Sequence, residues 1–254
     1  MLIEVRNLQK IYGEGNEYRT KALENVSFTV QEGEFIGIMG ASGSGKSTLL
    51  NILAAIDTPT AGQVKIEAQD IALLDKKALA RFRKEKLGFV FQEYNLLDTL
   101  TIEENIILSL SLRSMPKSEI EQKVNWIAGT LGISEILRKF PYQVSGGQKQ
   151  RCACARAMVT NPRLLLADEP TGALDSKAAR ELLDTFLRIN QEYHTTILMV
   201  THDVFSASFC DRVLFVKDGK IYQELQRRQR SKDEMLQELL TLLSGRKGEK
   251  LNVD

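Results

Sequence analysis

The sequence predicts an α/β fold: a parallel sheet covered by helices, preceded by an antiparallel sheet and interrupted by a helical insertion. Near the start, Ile3 and Val5, then Val26, Phe28 and Val30, alternate with polar neighbours, and Gly33 marks a turn. Period-two alternation belongs to strands with one buried face. From Phe35 the pattern changes to short continuous apolar runs: Phe35-Ile36-Gly37-Ile38-Met39, Leu87-Gly88-Phe89-Val90-Phe91, Leu164-Leu165-Leu166-Ala167, Thr196-Ile197-Leu198-Met199-Val200 and Val213-Leu214-Phe215-Val216. Strands buried on both faces read this way, as those of parallel sheets between helices do. Between about Tyr94 and Gln143 the strand signal is lost and helical periods dominate, for example Ile102 to Leu112 and Glu119 to Leu131.

The remaining elements follow in order. Asp218-Gly219, between Val213-Leu214-Phe215-Val216 and Ile221-Tyr222, is a hairpin signal. Asp233 to Leu243 reads as an amphipathic helix with Met235, Leu236, Leu239, Leu240 and Leu243 on one side, which either covers the core or meets a partner. Gly245 to Asp254 is polar and expected to fray. With 254 residues, 43% hydrophobic and 26% charged, the chain is long enough for a sizeable core, and the composition excludes a disordered polymer. Lys plus Arg number 34 and Asp plus Glu 33, so the net charge is 34 − 33 = +1, without a global pull toward nucleic acid or an anionic membrane. No run of eighteen apolar residues occurs, and Met1-Leu2-Ile3-Glu4-Val5-Arg6 lacks a secretion signal, so a cytosolic chain is expected. Cys152, Cys154 and Cys210 cannot all pair within one chain. The two-residue spacing of Cys152 and Cys154 sends them to different sides of a helix, so packing is expected and not metal binding.

The strongest chemical signal is Gly40-Ala41-Ser42-Gly43-Ser44-Gly45-Lys46-Ser47, which follows a buried strand and opens a helix. Such a phosphate loop curls backbone N–H groups round a polyphosphate at a helix N-terminus, while Lys46 reaches the β and γ oxygens and Ser47 ligates Mg²⁺. Gly40, Ser42, Gly43, Ser44, Gly45, Lys46, Ser47 and Thr48 form the expected nucleotide-binding set. Asp168 and Glu169 close the Leu164-Leu165-Leu166-Ala167 strand. Asp168 is placed to hold the metal and Glu169 to polarise an attacking water. A second glycine-bearing helix start, Val144-Ser145-Gly146-Gly147-Gln148, is suited to phosphate oxygens, and one nucleotide does not need two such cradles from one chain.

On these motifs the sequence resembles the ATP-binding subunits of ABC transporters over nearly all of Leu2 to Glu224. The resemblance implies a phosphate-loop NTPase cassette at residues 1–224, with a RecA-like parallel core, an N-terminal antiparallel subdomain, and a helical subdomain inserted at about 94–160. Residues 225–254 would be a C-terminal extension. It implies that Ser145, Gly146, Gly147 and Gln148 close over nucleotide held by the opposite subunit, in a two-fold homodimer with two ATP molecules at the interface. Tyr12 resembles the aromatic that stacks on adenine. Gln92 matches the glutamine that touches Mg²⁺ or the attacking water, and Ala173-Leu174-Asp175 the loop that contacts the other subunit. His202 matches the switch histidine at the γ-phosphate, whereas His194 reads as packing or surface. Val144 departs from the usual Leu, and Cys152 and Cys154 from the usual aliphatics; neither removes Glu169 or His202.

Within that family the short stretch from Lys46 to Ser145 lacks the coiled coils of chromosome-organising members. A single phosphate loop argues against the two-cassette ribosomal members, and near-zero charge against nucleic acid. A transporter motor is expected, with a separate permease docking near Gln92–Leu100 on a groove of Tyr94, Leu96, Leu97 and Leu100. Peripheral attachment to the inner face of the cell membrane follows. Met39-Gly40-Ala41-Ser42, Gln92-Glu93-Tyr94-Asn95-Leu96-Leu97-Asp98-Thr99-Leu100 and Leu174-Asp175-Ser176-Lys177 most resemble bacitracin-type subunits of Gram-positive bacteria, in the wider group of macrolide exporters and lipoprotein-release systems. That resemblance implies resistance to cell-wall-active peptide antibiotics and an indirect link, through the permease, to a sensor histidine kinase. A lipoprotein-release or cell-wall-regulating motor is the alternative.

Overall fold

The computed structural model describes residues 1–13, 19–111, 113 and 115–245. The expected end of the first inserted helix at Leu112 and the polar tail after Gly245 lie outside the described residues.

Two sheets share one body. The first is antiparallel, in the order β2 (Thr20–Val30), β1 (Ile3–Tyr12), β4 (Ala61–Ile66), β5 (Gln69–Asp70), with Val5 opposite both Phe28 and Val64. The second has six strands in the order β10 (Lys220–Gln226), β9 (Arg212–Lys217), β3 (Phe35–Met39), β8 (Thr196–Thr201), β7 (Leu164–Asp168), β6 (Leu87–Val90). All its neighbours run parallel except the β9–β10 hairpin turned by Asp218-Gly219. Strands β7 and β8 run one residue past the expected run at one end and β9 one residue at each end, and Phe91 leaves its strand.

The apolar runs are two-sided. Ile36, Ile38, Leu164, Leu166, Leu198, Val200, Leu214 and Val216 enter one core cluster with the antiparallel sheet and helix α1 (Lys46–Leu53). Their alternates Phe35, Met39, Leu165, Ala167, Ile197, Met199, Val213 and Phe215 enter the other. There they meet α3 (Ile102–Ser111), α4 (Lys117–Thr130), α5 (Gly146–Met158) and α6 (Ser176–Tyr193). Alternation across a strand places successive side chains on opposite faces, so a continuous apolar run serves two cores at once.

Strand β4, the short β5 and helix α2 (Lys76–Lys86) are additional to the sequence expectation. Strand β4 buries only Val64 and Ile66, and α2 only Phe82, too few apolar positions to declare a period. The last helix, α8 (Lys232–Gly245), lays Met235 and Leu239 into the second core with Leu242 and Leu243 beside them, and thus covers it. Leu240 is 45% exposed, a departure from the expected apolar side. Among the described residues no helix is long and apolar enough to cross a membrane.

Candidate active site

Strand order creates the site. Strands β3, β8, β7 and β6 lie side by side and parallel, so the residues that follow their C-terminal ends, Gly40, His202, Glu169 and Gln92, come out along one edge. Ligands of open α/β sheets bind at that edge. A cleft of about 660 Å³ is lined there by Ala41, Ser42, Gly43, Gly45, Lys46, Ser47, Thr48, Gln92, Glu169 and His202, with Ala22 from β2.

The phosphate loop is held by its glycines. Gly43 and Gly45 have φ of 77° and 103°, and a Cβ on Gly45 would stand 2.3 Å from the Ala22 carbonyl oxygen. Gly45 precedes α1 without any side-chain cap, which leaves the first-turn N–H groups of Lys46, Ser47 and Thr48 turned to the cleft. Lys46 is buried and donates to the Gly40 and Ala41 carbonyls at 2.9 and 2.8 Å. Ser47 Oγ donates to Asp168 Oδ1 at 3.4 Å. Burial holds the Asp168 carboxyl above the usual carboxylate range, and the Glu169 charge adds to this against Ser47 and Lys46. An uncapped helix start, a cation and two hard oxygen donors suit a polyphosphate with its divalent ion.

Glu169 and His202 meet directly. Glu169 sits at φ 46°, in the left-handed region, where the chain leaves β7. Such a conformation costs about 1–3 kcal/mol for a non-glycine residue. Its amide donates to the Val200 carbonyl at 2.9 Å, and its Oε1 lies 2.8 Å from His202 Nδ1. The carboxylate side chain is 11% exposed and the imidazole 71%, so the pair presents an open ring on a sheltered acid. Beyond it, Asp203 caps α7 (Val204–Ala207) and accepts from Ser206 Oγ at 2.6 Å, and Ser206 Oγ is 2.9 Å from Thr171 Oγ1. That buried chain joins the segment after Glu169 to the segment after His202.

Tyr12 stands at the end of β1, 40% exposed, with its hydroxyl near that of Thr48. It donates to Asp57 Oδ2 at 2.6 Å, and Lys10 Nζ lies 4.7 Å from its ring centroid.

Ser145, Gly146, Gly147, Gln148 and Asp175 stand apart from this cleft in the single chain. Ser145 is the N-cap of α5 in a capping box: its Oγ accepts from the Gln148 amide at 3.3 Å and its own amide donates to Gln148 Oε1 at 3.0 Å. Asp175 caps α6, accepting from the Ala178 amide at 2.8 Å. The segment after Gln92 links the two regions. A Cβ on Gly146 would lie 3.2 Å from the Tyr94 hydroxyl and 3.9 Å from the Ala173 carbonyl, so three functional segments touch at one point.

The family comparison decides what this arrangement is. The family model described as "ABC transporter" matches residues 23–172, more than half of the chain. The chain belongs to the ABC transporter family. This ABC cassette is 47% identical over 239 residues to the bacitracin export ATP-binding protein BceA of Halalkalibacterium halodurans, covering 94% of each chain. It is also 47% identical over 246 residues to the ABC transporter ATP-binding protein YxdL of Bacillus subtilis, covering 96% of this chain and 95% of that one. Among solved structures it is similar to the dimeric post-hydrolysis state of the ATP-binding cassette MJ0796 bound to ADP and Pi. There the TM-score is 0.84 at 39% identity, over 89% of this chain and 99% of that one; the MJ0796 protein is from Methanocaldococcus jannaschii. The chain is thus an ABC-type ATPase with the expected fold.

Some features of the ABC cassette were not evident in its sequence. Of the four side chains expected to line a permease groove, Leu96 packs against the core, Tyr94 and Leu100 are half-buried, and Leu97 is left 49% exposed. The segment is held from beneath by buried Asn105, which accepts from the Leu97 amide at 2.8 Å and donates to the Leu97, Leu100 and Thr101 carbonyls at 2.9–3.1 Å. Arg156 of α5 donates to the Tyr94 carbonyl at 2.8 Å and also to that of Asn95. Only the unusual placement of a polar Asn among the apolar positions of α3 signals this. Cys152 and Cys154 are both fully buried in the second core, in keeping with packing.

Proposed function

We propose that this ATPase is the Mg-ATP-driven motor of a membrane transporter, with Lys46, Asp168, Glu169, Gln92 and His202 as its working residues. The convergence of Lys46, Gln92, Glu169 and His202 with the uncapped start of α1 in one cleft, and the bond from Ser47 of that cleft to Asp168, support the reading. Loop amides from Gly40 to Thr48 and the Lys46 ammonium hold the β- and γ-phosphates, and the Tyr12 ring takes the adenine. Ser47, Asp168 and Gln92 are the groups to hold Mg²⁺, which when bound offsets the charge of the phosphate oxygens. Glu169 takes the proton from a water as its oxygen bonds to the γ-phosphorus, while the bridging bond to ADP breaks. His202 keeps the Glu169 carboxylate in place through their 2.8 Å contact.

The second cradle, Ser145 to Gln148, works in trans. Two copies enclose two nucleotides, with Ser145 of each facing Lys46 of the other, and Asp175 lies in the shared interface. Closure passes to a separate permease through the Gln92–Leu100 segment, with Leu97 as its contact, and so keeps the ATPase at the inner face of the membrane. The likeness to a bacitracin export protein supports a role in resistance to cell-wall-active peptide antibiotics. An indirect link with a sensor kinase through the permease is part of the proposal. Glu169→Gln removes the proton acceptor while keeping the shape. It is expected to lower turnover at least about 10²-fold, to retain ATP binding, and to accumulate a nucleotide-bound dimer on gel filtration; turnover at the wild-type rate would remove Glu169 as the base. Co-purification from membranes tests the partner: a permease is expected, and ribosomes or DNA would overturn the transporter role.

A further inference from the structure

Tyr12, the expected adenine platform, is joined to two residues that the sequence does not single out, Asp57 and Lys10. A phenol at a strand end is ordinarily free to turn, and ordering it during binding would weaken nucleotide about two- to ten-fold. Here it is already fixed. Its hydroxyl donates to Asp57 Oδ2 at 2.6 Å. The other carboxylate oxygen, Oδ1, accepts from Lys10 Nζ at 2.6 Å and from the Thr58 amide at 2.7 Å. Lys10 Nζ also donates to the Thr58 carbonyl at 2.8 Å, so the ammonium cannot wander.

Lys10 and Tyr12 are two apart on β1, and the ammonium lies 4.7 Å from the ring centroid, so one ring face is taken by a cation. The loop that carries Asp57 is itself tied to β1. The Thr60 amide donates to the Gln9 carbonyl at 2.9 Å, and the Ile11 amide to Thr60 Oγ1 at 3.0 Å. Both Asp57 oxygens are committed within this network, which leaves the carboxylate no metal or proton-transfer duty. Partial burial and the Asp57 bond raise the Tyr12 phenol above its ordinary pKa, against a lowering contact with Thr48, so it remains a donor at neutral pH.

We infer that Asp57, with Lys10, is a positioning residue for the nucleotide base: it fixes the Tyr12 ring so that the face opposite Lys10 is presented to adenine. This rests on Tyr12 being the adenine platform. The test compares ATP with inorganic tripolyphosphate, which lacks the base, by calorimetric titration and steady-state hydrolysis. Asp57→Ala is expected to weaken ATP about two- to ten-fold, to leave tripolyphosphate affinity unchanged, and to act on KM with kcat held. Tyr12→Phe, which keeps the ring and removes only the hydroxyl that reaches Asp57, is expected to do the same and preserves the fold if Asp57→Ala does not. Asp57→Asn, which keeps an acceptor for Tyr12, should recover part of the affinity, and the Tyr12→Ala, Asp57→Ala double variant should match Tyr12→Ala alone. Equal weakening of ATP and tripolyphosphate, unchanged ATP affinity in both Asp57→Ala and Tyr12→Phe, or additivity in the double variant would each overturn the inference. Tyr12→Ala with unchanged ATP affinity would instead remove the platform itself.

Discussion

Gly45 and the three cysteines show how single residues are constrained from opposite directions. At Gly45 the backbone itself is the obstacle: φ is 103° and the Ala22 carbonyl occupies the place of a side chain. Gly45→Ala is therefore expected to lower stability by about 1–3 kcal/mol and to abolish tight ATP binding, which urea melts and nucleotide titration would report together. The cysteines are constrained by their surroundings. Burial pushes the Cys152 thiol up to about 12, and Cys154 and Cys210 are raised as well. Because the thiolate is the reactive form, native protein at neutral pH should give almost no rapid reaction with a thiol reagent, and all 3 cysteines should react after denaturation. A fast-reacting thiol in the native state would contradict this burial. The phosphate loop, Asp168 and Glu169 are legible because each follows a recognisable apolar run, and Gln92 and His202 because the family resemblance singles them out after two more such runs. Asp57 is not, since its partners Lys10 and Tyr12 lie far away in sequence and a charged residue before Thr58-Pro59 reads as an ordinary turn.

At the scale of elements, the segment from Tyr94 to Thr101 has no regular structure of its own and borrows its shape from α3 and α5. Asn105 satisfies four backbone groups there. Asn105→Ala would strand them, and a loss of about 2–4 kcal/mol is expected on chemical denaturation. Arg156→Met leaves that anchor in place and removes the hold on the Tyr94 and Asn95 carbonyls, both at positive φ. Its expected effect is on coupling: ATPase activity of the isolated protein retained to within a few-fold, but stimulation by the permease reduced. Equal stimulation of variant and wild type would exclude Arg156 from transmission. Apolar patterning found α3, α4 and the parallel strands of the main sheet because each offers several buried positions close together. It could not find which leucine of a loop turns inward, since Leu96 and Leu97 are alike in composition and differ only in the backbone that presents them.

For the whole molecule, the phosphate loop and the Ser145 cradle occupy separate places in one chain, and in the proposed dimer the complete site belongs to two. Ser145→Arg puts a bulky cation into the closing surface without touching the cleft around Lys46. Single-chain ATP binding should persist, while hydrolysis falls by at least about tenfold and ATP-dependent dimers vanish from light scattering; unaffected hydrolysis would rule out the shared site. The strand order of the main sheet bears on biosynthesis. Strand β3 pairs only with β8 and β9 among the described residues, so the strand that carries the phosphate loop waits for Arg212–Lys217 before both its edges are closed. At ordinary rates of elongation that interval is roughly ten to forty seconds on the ribosome. During it the nascent chain exposes an apolar strand with unpaired edges, the kind of surface that aggregates until β8 and β9 have been made.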